Sequence, residues 1–114
     1  MSKIFFASQC ILEHGRTAEG RQLFRPETVD LFTASDSTPD GQSRALGWDV
    51  PTEPSSSGRF FGPRSIGHLG YAGTSLWIDP DQNLAVVLLT NRTWPNRSND
   101  AIRQVRPAFH DAVV

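Results

Sequence analysis

Cysteine, lysine and tyrosine are almost missing from these 114 residues, each being represented once, by Cys10, Lys3 and Tyr71. A single cysteine leaves no intrachain disulfide and no cysteine-based zinc site, and it does not assign a redox compartment. Charge of one sign is also missing. Acidic and basic residues are interspersed and nearly cancel, to a formal net charge of -1. That removes the basic face that nucleic acid or an anionic membrane would need. Long hydrophobic runs are absent too: the longest strongly apolar run, Leu84 to Leu89, is far below the roughly 20 residues of a membrane-spanning helix. The opening segment Met1 to Ala7 is followed by Ser8, Gln9, Glu13 and His14, a pattern of an amphipathic helix rather than of a signal peptide. The expectation is a soluble chain, without nucleic acid as a partner and with no transmembrane segment. No cofactor is expected, and no localisation is assigned.

What is present reads as one α+β unit covering 1–114. Apolar spacing predicts a helix from Ile4 to His14, stopped by Gly15 in a left-handed conformation. A second helix begins at Pro26, with Glu27 near the positive end of its dipole. Ala34 to Arg44, with Pro39-Asp40-Gly41 at its tip, reads as a loop. Ala45 to Val50 reads as a short strand, and Pro51 to Pro63 as an irregular crossing whose Phe60-Phe61 pair packs on something. Three strands follow, Ile66 to Gly70, Thr74 to Asp79 and Leu84 to Asn91, with Pro80-Asp81-Gln82-Asn83 as the turn between the last two. Leu84 to Leu89 is apolar on both faces and belongs inside a sheet. A final helix, introduced by Asn96 to Ser98, carries Ile102, Val105, Ala108, Phe109 and Val113 as a stripe. The fold class is an antiparallel sheet with this C-terminal helix packed on one face.

Three glycines crowd the segment Gly67-His68-Leu69-Gly70-Tyr71-Ala72-Gly73. Glycine weakens a strand, so the cluster points either to a plain glycine-rich strand end or to a backbone that a ligand approaches closely. Spacing alone leaves both open. His68-Leu69-Gly70, the strand Thr74 to Pro80, the strand ending Leu88-Leu89-Thr90-Asn91-Arg92, and the helix lead-in Trp94-Pro95-Asn96-Arg97 together resemble the end of class C β-lactamases and of related esterases and D-Ala-D-Ala peptidases. Arg25-Pro26-Glu27-Thr28-Val29 and Ala45-Leu46-Gly47-Trp48 extend the resemblance over nearly the whole chain. It implies the C-terminal part of a β-lactamase/transpeptidase-like fold, belonging to a serine hydrolase that acts through an acyl-enzyme on a small-molecule ester, lactam or peptide. His68 would take the place of the basic first residue of the family's Lys/His-x-Gly motif. The Tyr71 amide would be an oxyanion donor, and Leu69, Gly70 and Ala72 would border the substrate. Leu69 stands where a hydroxyl residue is common.

The remaining machinery of the family can be searched for directly. Ser-x-x-Lys is absent, because Lys3 has no serine three positions before it. Tyr-x-Asn and Ser-x-Asn are absent as well, and Ser65 lacks the glycine two positions before it that a nucleophile elbow needs. The expected partner is therefore the N-terminal part of the same fold, which would supply serine, lysine and tyrosine. The alternative is a non-catalytic remnant or ligand-binding α+β module. Other clusters carry less: Cys10 and His14, four apart, are two ligands rather than a metal site, and His110-Asp111 reads as a polar face with a cation near a helix C-terminus. The 114 residues alone are expected to hydrolyse nitrophenyl esters and chromogenic lactams no faster than buffer does. Spectrophotometric turnover above the blank would require a nucleophile that the sequence does not show.

Overall fold

A computed structural model describes residues 3–37 and 43–114. Three helices, α1 (Lys3–Leu12), α2 (Pro26–Thr33) and α3 (Ile102–Val113), accompany six strands: β1 (Asp36–Ser37), β2 (Ser43–Ala45), β3 (Trp48–Asp49), β4 (Ile66–Leu69), β5 (Ser75–Asp79) and β6 (Leu84–Leu88). The strands form one antiparallel sheet in the order β1-β2-β3-β4-β5-β6, so chain neighbours are also neighbours in space. The α+β expectation holds, but β6, expected inside the sheet, is an edge strand among the described residues and pairs only with β5. Helix α1 ends at Leu12, short of the expected His14, and Gly15, with a positive φ of 90°, donates its N–H back to Cys10 O (2.7 Å). Helix α2 does begin at Pro26, with Glu27 in its first turn.

Two expectations about the first half need correction. Ala45 to Val50 is a hairpin rather than one strand: Ala45 pairs with Trp48 across a two-residue turn, Leu46-Gly47, in which Gly47 has a φ of 77°. Glycine tolerates that region because it has no Cβ. The polar stretch from Ala34 to Arg44 is not all loop, since Asp36 and Ser37 pair with Arg44 and Ser43. Its expected tip, Pro39-Asp40-Gly41, lies outside the described residues.

Side chains alternate across β4, β5 and β6 and build two cores. On one face Ile66 and Ile78 join Ala45 and Val50, with Ile11 and Leu12 of α1 packed against them. On the other, Trp77 and Val86 meet Phe61 from the crossing segment and Phe109 of α3. The paired phenylalanines therefore divide their roles: Phe61 is buried, whereas Phe60 is exposed and lies 5.3 Å under the Arg59 guanidinium. At the β5–β6 turn, Asp79 is fully buried and accepts hydrogen bonds from Gly62 N (2.8 Å), Gln82 Nε2 (2.6 Å), Asp81 N (3.0 Å) and Gln82 N (3.2 Å). Burial alone would raise its pKa. The bonds from Gly62, Gln82 and Asp81 outweigh that and hold the carboxyl below its usual value.

Helix α3 packs through only part of its apolar stripe, Ile102 and Phe109, and two polar residues complete the buried face. Ile102, Arg106 and His110, spaced four apart, are buried, whereas Val105, Ala108 and Val113 face outward. His110 is therefore not an exposed cation. It is fully buried, with Nε2 3.0 Å from Ser75 Oγ, and its ring stands edge-on to Phe61 at 5.7 Å and 86°. Its neighbour Asp111 accepts from Arg59 N (2.6 Å) and Arg59 Nε (3.0 Å), tying the crossing segment to the helix.

Burial, and next the Arg106 cation, depress the His110 pKa below 6.5, against a smaller opposing pull from Asp111. Below pH 6.5 the unfolded chain then binds a proton that the folded chain refuses, so stability present above that pH is lost as pH falls. Thermal unfolding should show a midpoint that drops as pH falls below 6.5, with a shallower slope for His110→Gln. An identical slope in that variant would contradict the assignment.

Candidate functional site

The glycine cluster is explained first by packing inside the molecule. A Cβ on Gly67 would run into the Trp77 ring, one on Gly70 would meet Thr74 Oγ1, and one on Gly73 would meet Thr90 Oγ1. Room for a substrate is therefore not what excludes a side chain at Gly70. The Trp77 ring lies directly across from Gly67 in the β4–β5 register, and the turn Gly70 to Thr74 folds tightly on itself. Gly70 N donates to Thr74 O (2.9 Å) and Gly73 N to Gly70 O (3.0 Å).

His68 sits on β4 opposite Leu76, which in turn pairs with Val87. It lies on the face of the sheet that α1 covers farther down, at Ile66 and Ile78. The cover stops short of His68, which is exposed, and Leu89 beyond it is 70% exposed. An open cavity of about 170 Å³ lies here, bordered by His68, Gly70, Leu76 and Val87. Leu69 points to the opposite face, half-buried. It borders a second cavity of about 280 Å³ together with Tyr71, Arg92, Asp100, Arg103 and Arg106. The end of β4 thus separates a histidine-bearing hollow from an arginine-rich one.

Tyr71 is 70% exposed, and its ring lies 4.4 Å from the Arg92 guanidinium carbon. Ala72 is exposed beside it. The Tyr71 and Ala72 N–H groups donate to no acceptor among the described residues. The carbonyls of the turn, in contrast, are all engaged. Gly70 O and Thr74 O accept from Arg106 Nη2 (2.8 and 2.9 Å), Tyr71 O from Arg92 Nε (2.8 Å), Ala72 O from Arg92 N (2.8 Å), and Gly73 O from Thr90 Oγ1 (2.8 Å). Arg92 Nη1 also reaches Arg97 O (2.8 Å) in the lead-in to α3. Arg106 is buried, and burial first, then the nearby Arg92 cation, lower its pKa from the usual arginine value.

The five residues singled out from the sequence, His68 to Ala72, therefore stand at one exposed strand end. Sequence reading missed Thr90, Arg92 and Arg106. The available signal was the four-residue spacing of Ile102, Arg106 and His110, obscured because two of the three are polar. Cys10 and His14 do not come together as a helical pair: α1 ends at Leu12, and His14 has a φ of 52°. Among the described residues no group of three or more His, Cys, Asp or Glu is arranged to hold a metal, and no helix is long and apolar enough to cross a membrane.

Comparison with known proteins places this geometry in context. The family model described as "Beta-lactamase" matches residues 8–108. A protein named "Putative D-alanyl-D-alanine carboxypeptidase" from Escherichia coli O157:H7 is 38% identical over 74 residues, 62% of this chain and 17% of that protein. The like-named protein of Escherichia coli strain K12 is 36% identical over the same shares. An "N-acetylmuramyl-L-alanine amidase" from Bacillus subtilis strain 168 is 42% identical over 74 residues, 61% of this chain and 16% of the relative. The chain spans less than a fifth of the length of the curated relatives it matches.

Because Gly70 is packed against Thr74, Gly70→Ala should lower unfolding free energy by about 1–3 kcal/mol, the usual cost of overpacking. Chemical denaturation with an unchanged slope and an earlier midpoint would show it. A wild-type midpoint would mean that the turn accommodates a Cβ.

Proposed function

This chain belongs to the Beta-lactamase family, and from that premise we propose that it supplies the third active-site motif of a serine hydrolase working through an acyl-enzyme. The observation carrying the proposal is the exposed end of β4. There His68 projects from an uncovered sheet face while the adjoining Tyr71 N–H is left without an acceptor among the described residues. The serine, its activating lysine and the tyrosine of the second motif come from residues outside these 114. They approach from the side of the sheet that bears His68.

In this reading the serine oxygen attacks the carbonyl carbon of the substrate. The negative charge that develops on the carbonyl oxygen is met by the Tyr71 N–H together with the nucleophile's own N–H. Donors placed before the reaction need no reorganisation as the charge appears, and losing one typically costs about 10²–10³ in rate. The bond to the leaving group then breaks, the leaving group departs with a proton, and water hydrolyses the acyl-serine. His68 contributes a polar, basic group beside the nucleophile. Two of its neighbours across the sheet, Leu76 and Val87, are apolar and give the approaching segment something to bury.

The substrate we favour is an amide of the bacterial cell-wall type, between amino acids or between an amino acid and a sugar acid. The relatives' printed names support this, as they concern D-alanyl-D-alanine and muramyl-L-alanine bonds. Leu69 also bears on the choice. With no hydroxyl in the middle of the motif, one hydrogen bond to a substrate carboxylate is lost, which disfavours penicillin-type lactams and free D-alanyl-D-alanine ends alike and leans toward amides whose scissile bond has no carboxylate beside it.

Kinetics of a polypeptide joining this chain to a family segment bearing Ser-x-x-Lys provides the test. His68→Ala should lower kcat/KM on the best amide or ester about 10²-fold, the usual range for removing one positioned acid–base group. Wild-type turnover in His68→Ala would remove His68 from the site.

A further inference from the structure

Five consecutive carbonyls, from Gly70 to Thr74, are held by three side chains and one backbone amide that all come from the segment following β6. Arg106 does the most, bridging the two ends of the turn through a single Nη2. We propose that Arg106, assisted by Arg92, is a positioning residue for acyl transfer: it locks the Gly70–Thr74 turn by its carbonyls so that the Tyr71 N–H stays fixed and uncommitted for the developing oxyanion. This rests on the acyl-enzyme reading above.

Three observations support the assignment. First, the arrangement is one-sided. Every carbonyl of the turn has a donor, while the Tyr71 and Ala72 N–H groups have no acceptor among the described residues. Both residues are exposed, so these two N–H groups are open to an incoming substrate oxygen while the carbonyls around them are held.

Second, Arg106 is a costly choice for docking a helix. It is buried, its Nε has no partner among the described residues, and it shares the site with the Arg92 cation. A well-packed apolar residue in such a place is commonly as stable or more so. Third, two guanidinium groups bonded to this one turn place positive charge beside the position where negative charge appears in the reaction. Field of that kind is strongest where water is scarce. Lysine would keep the charge but lose the longer, planar guanidinium that sets Nη2 between Gly70 O and Thr74 O.

The test pairs kinetics with amide hydrogen exchange. In the polypeptide that joins this chain to a Ser-x-x-Lys segment, Arg106→Met should reduce kcat about 10²-fold with KM changed less than about twofold, because the oxyanion contact develops only in the transition state. Arg106→Lys should fall between Met and wild type. In the same Met variant the Gly70 and Gly73 amides, which bond within the turn, should exchange faster while β5 and β6 amides keep their protection. Wild-type kcat in Arg106→Met, a loss confined to KM, or unchanged Gly70 and Gly73 exchange would each overturn the proposal. If Arg106→Met fails to fold, Thr90→Val, which removes only the donor to Gly73 O, should give a smaller fall in kcat at constant KM, and no fall would overturn it. A wild-type polypeptide that never acylates defeats the acyl-enzyme reading itself, and this inference with it. Normal acylation in wild type and variant alike defeats the clamp alone.

Discussion

The candidate site depends on one constraint: the turn that ends β4 satisfies only Gly70 O and Thr74 O from within, and for Tyr71 O, Ala72 O and Gly73 O, as well as for its two ends, takes donors from Thr90, Arg92 and Arg106. Buried backbone groups left unpaired are destabilising, so the shape of the turn is tied to the position of α3. That helix is placed in turn by His110 against Ser75, by Phe109 and Phe61 in the core around Trp77, and by Asp111 against Arg59. A sequence feature at residue 110 thus reaches the strand end at residue 70 through packing rather than through contact. Loosening α3 should unsettle the site before it unfolds the sheet.

A second constraint is what the molecule leaves uncovered. Helix α2 buries none of its residues, and Phe24, Leu31 and Phe32 are exposed along it and before it. The sheet face that carries His68 is covered by α1 only as far as Ile66 and Ile78. Large exposed apolar patches mark surfaces that take a partner. In the proposed reading these two surfaces meet the segment that brings the nucleophile, which makes covering the face and completing the catalytic group a single event.

The sequence was informative where local rules decide. Helix α1 with Gly15 at its end, Pro26 at the start of α2, the β4–β5–β6 meander and the turn at Pro80 to Asn83 follow from spacing and turn chemistry. Where the outcome depended on what lies across the fold, sequence patterns misled. Ala45 to Val50 looked like a strand because alternation cannot reveal the reversal at Leu46-Gly47. The stripe on α3 was misread because a buried histidine and a buried arginine occupy positions that hydrophobicity assigns to solvent. The clustered glycines left open a plain strand end or a close approach by a ligand, and the structure shows Trp77, Thr74 and Thr90 packed where their Cβ atoms would be. The run His68 to Ala72 was legible in the sequence as one glycine-flanked strand end. Its support was not, because hydrogen bonds from residues 90, 92 and 106 to residues 70–74 leave no local pattern.

The central claim is that these 114 residues complete an acyl-enzyme site whose nucleophile lies in another segment. Intact-protein mass spectrometry after exposure to an active ester or a lactam tests it most directly, with the chain alone, with a Ser-x-x-Lys segment alone, and with the two joined. The account predicts a covalent acyl adduct only when both are present, located on the serine of the added segment. An adduct on any residue of this chain alone, or equal acylation of the added segment without it, would contradict the account.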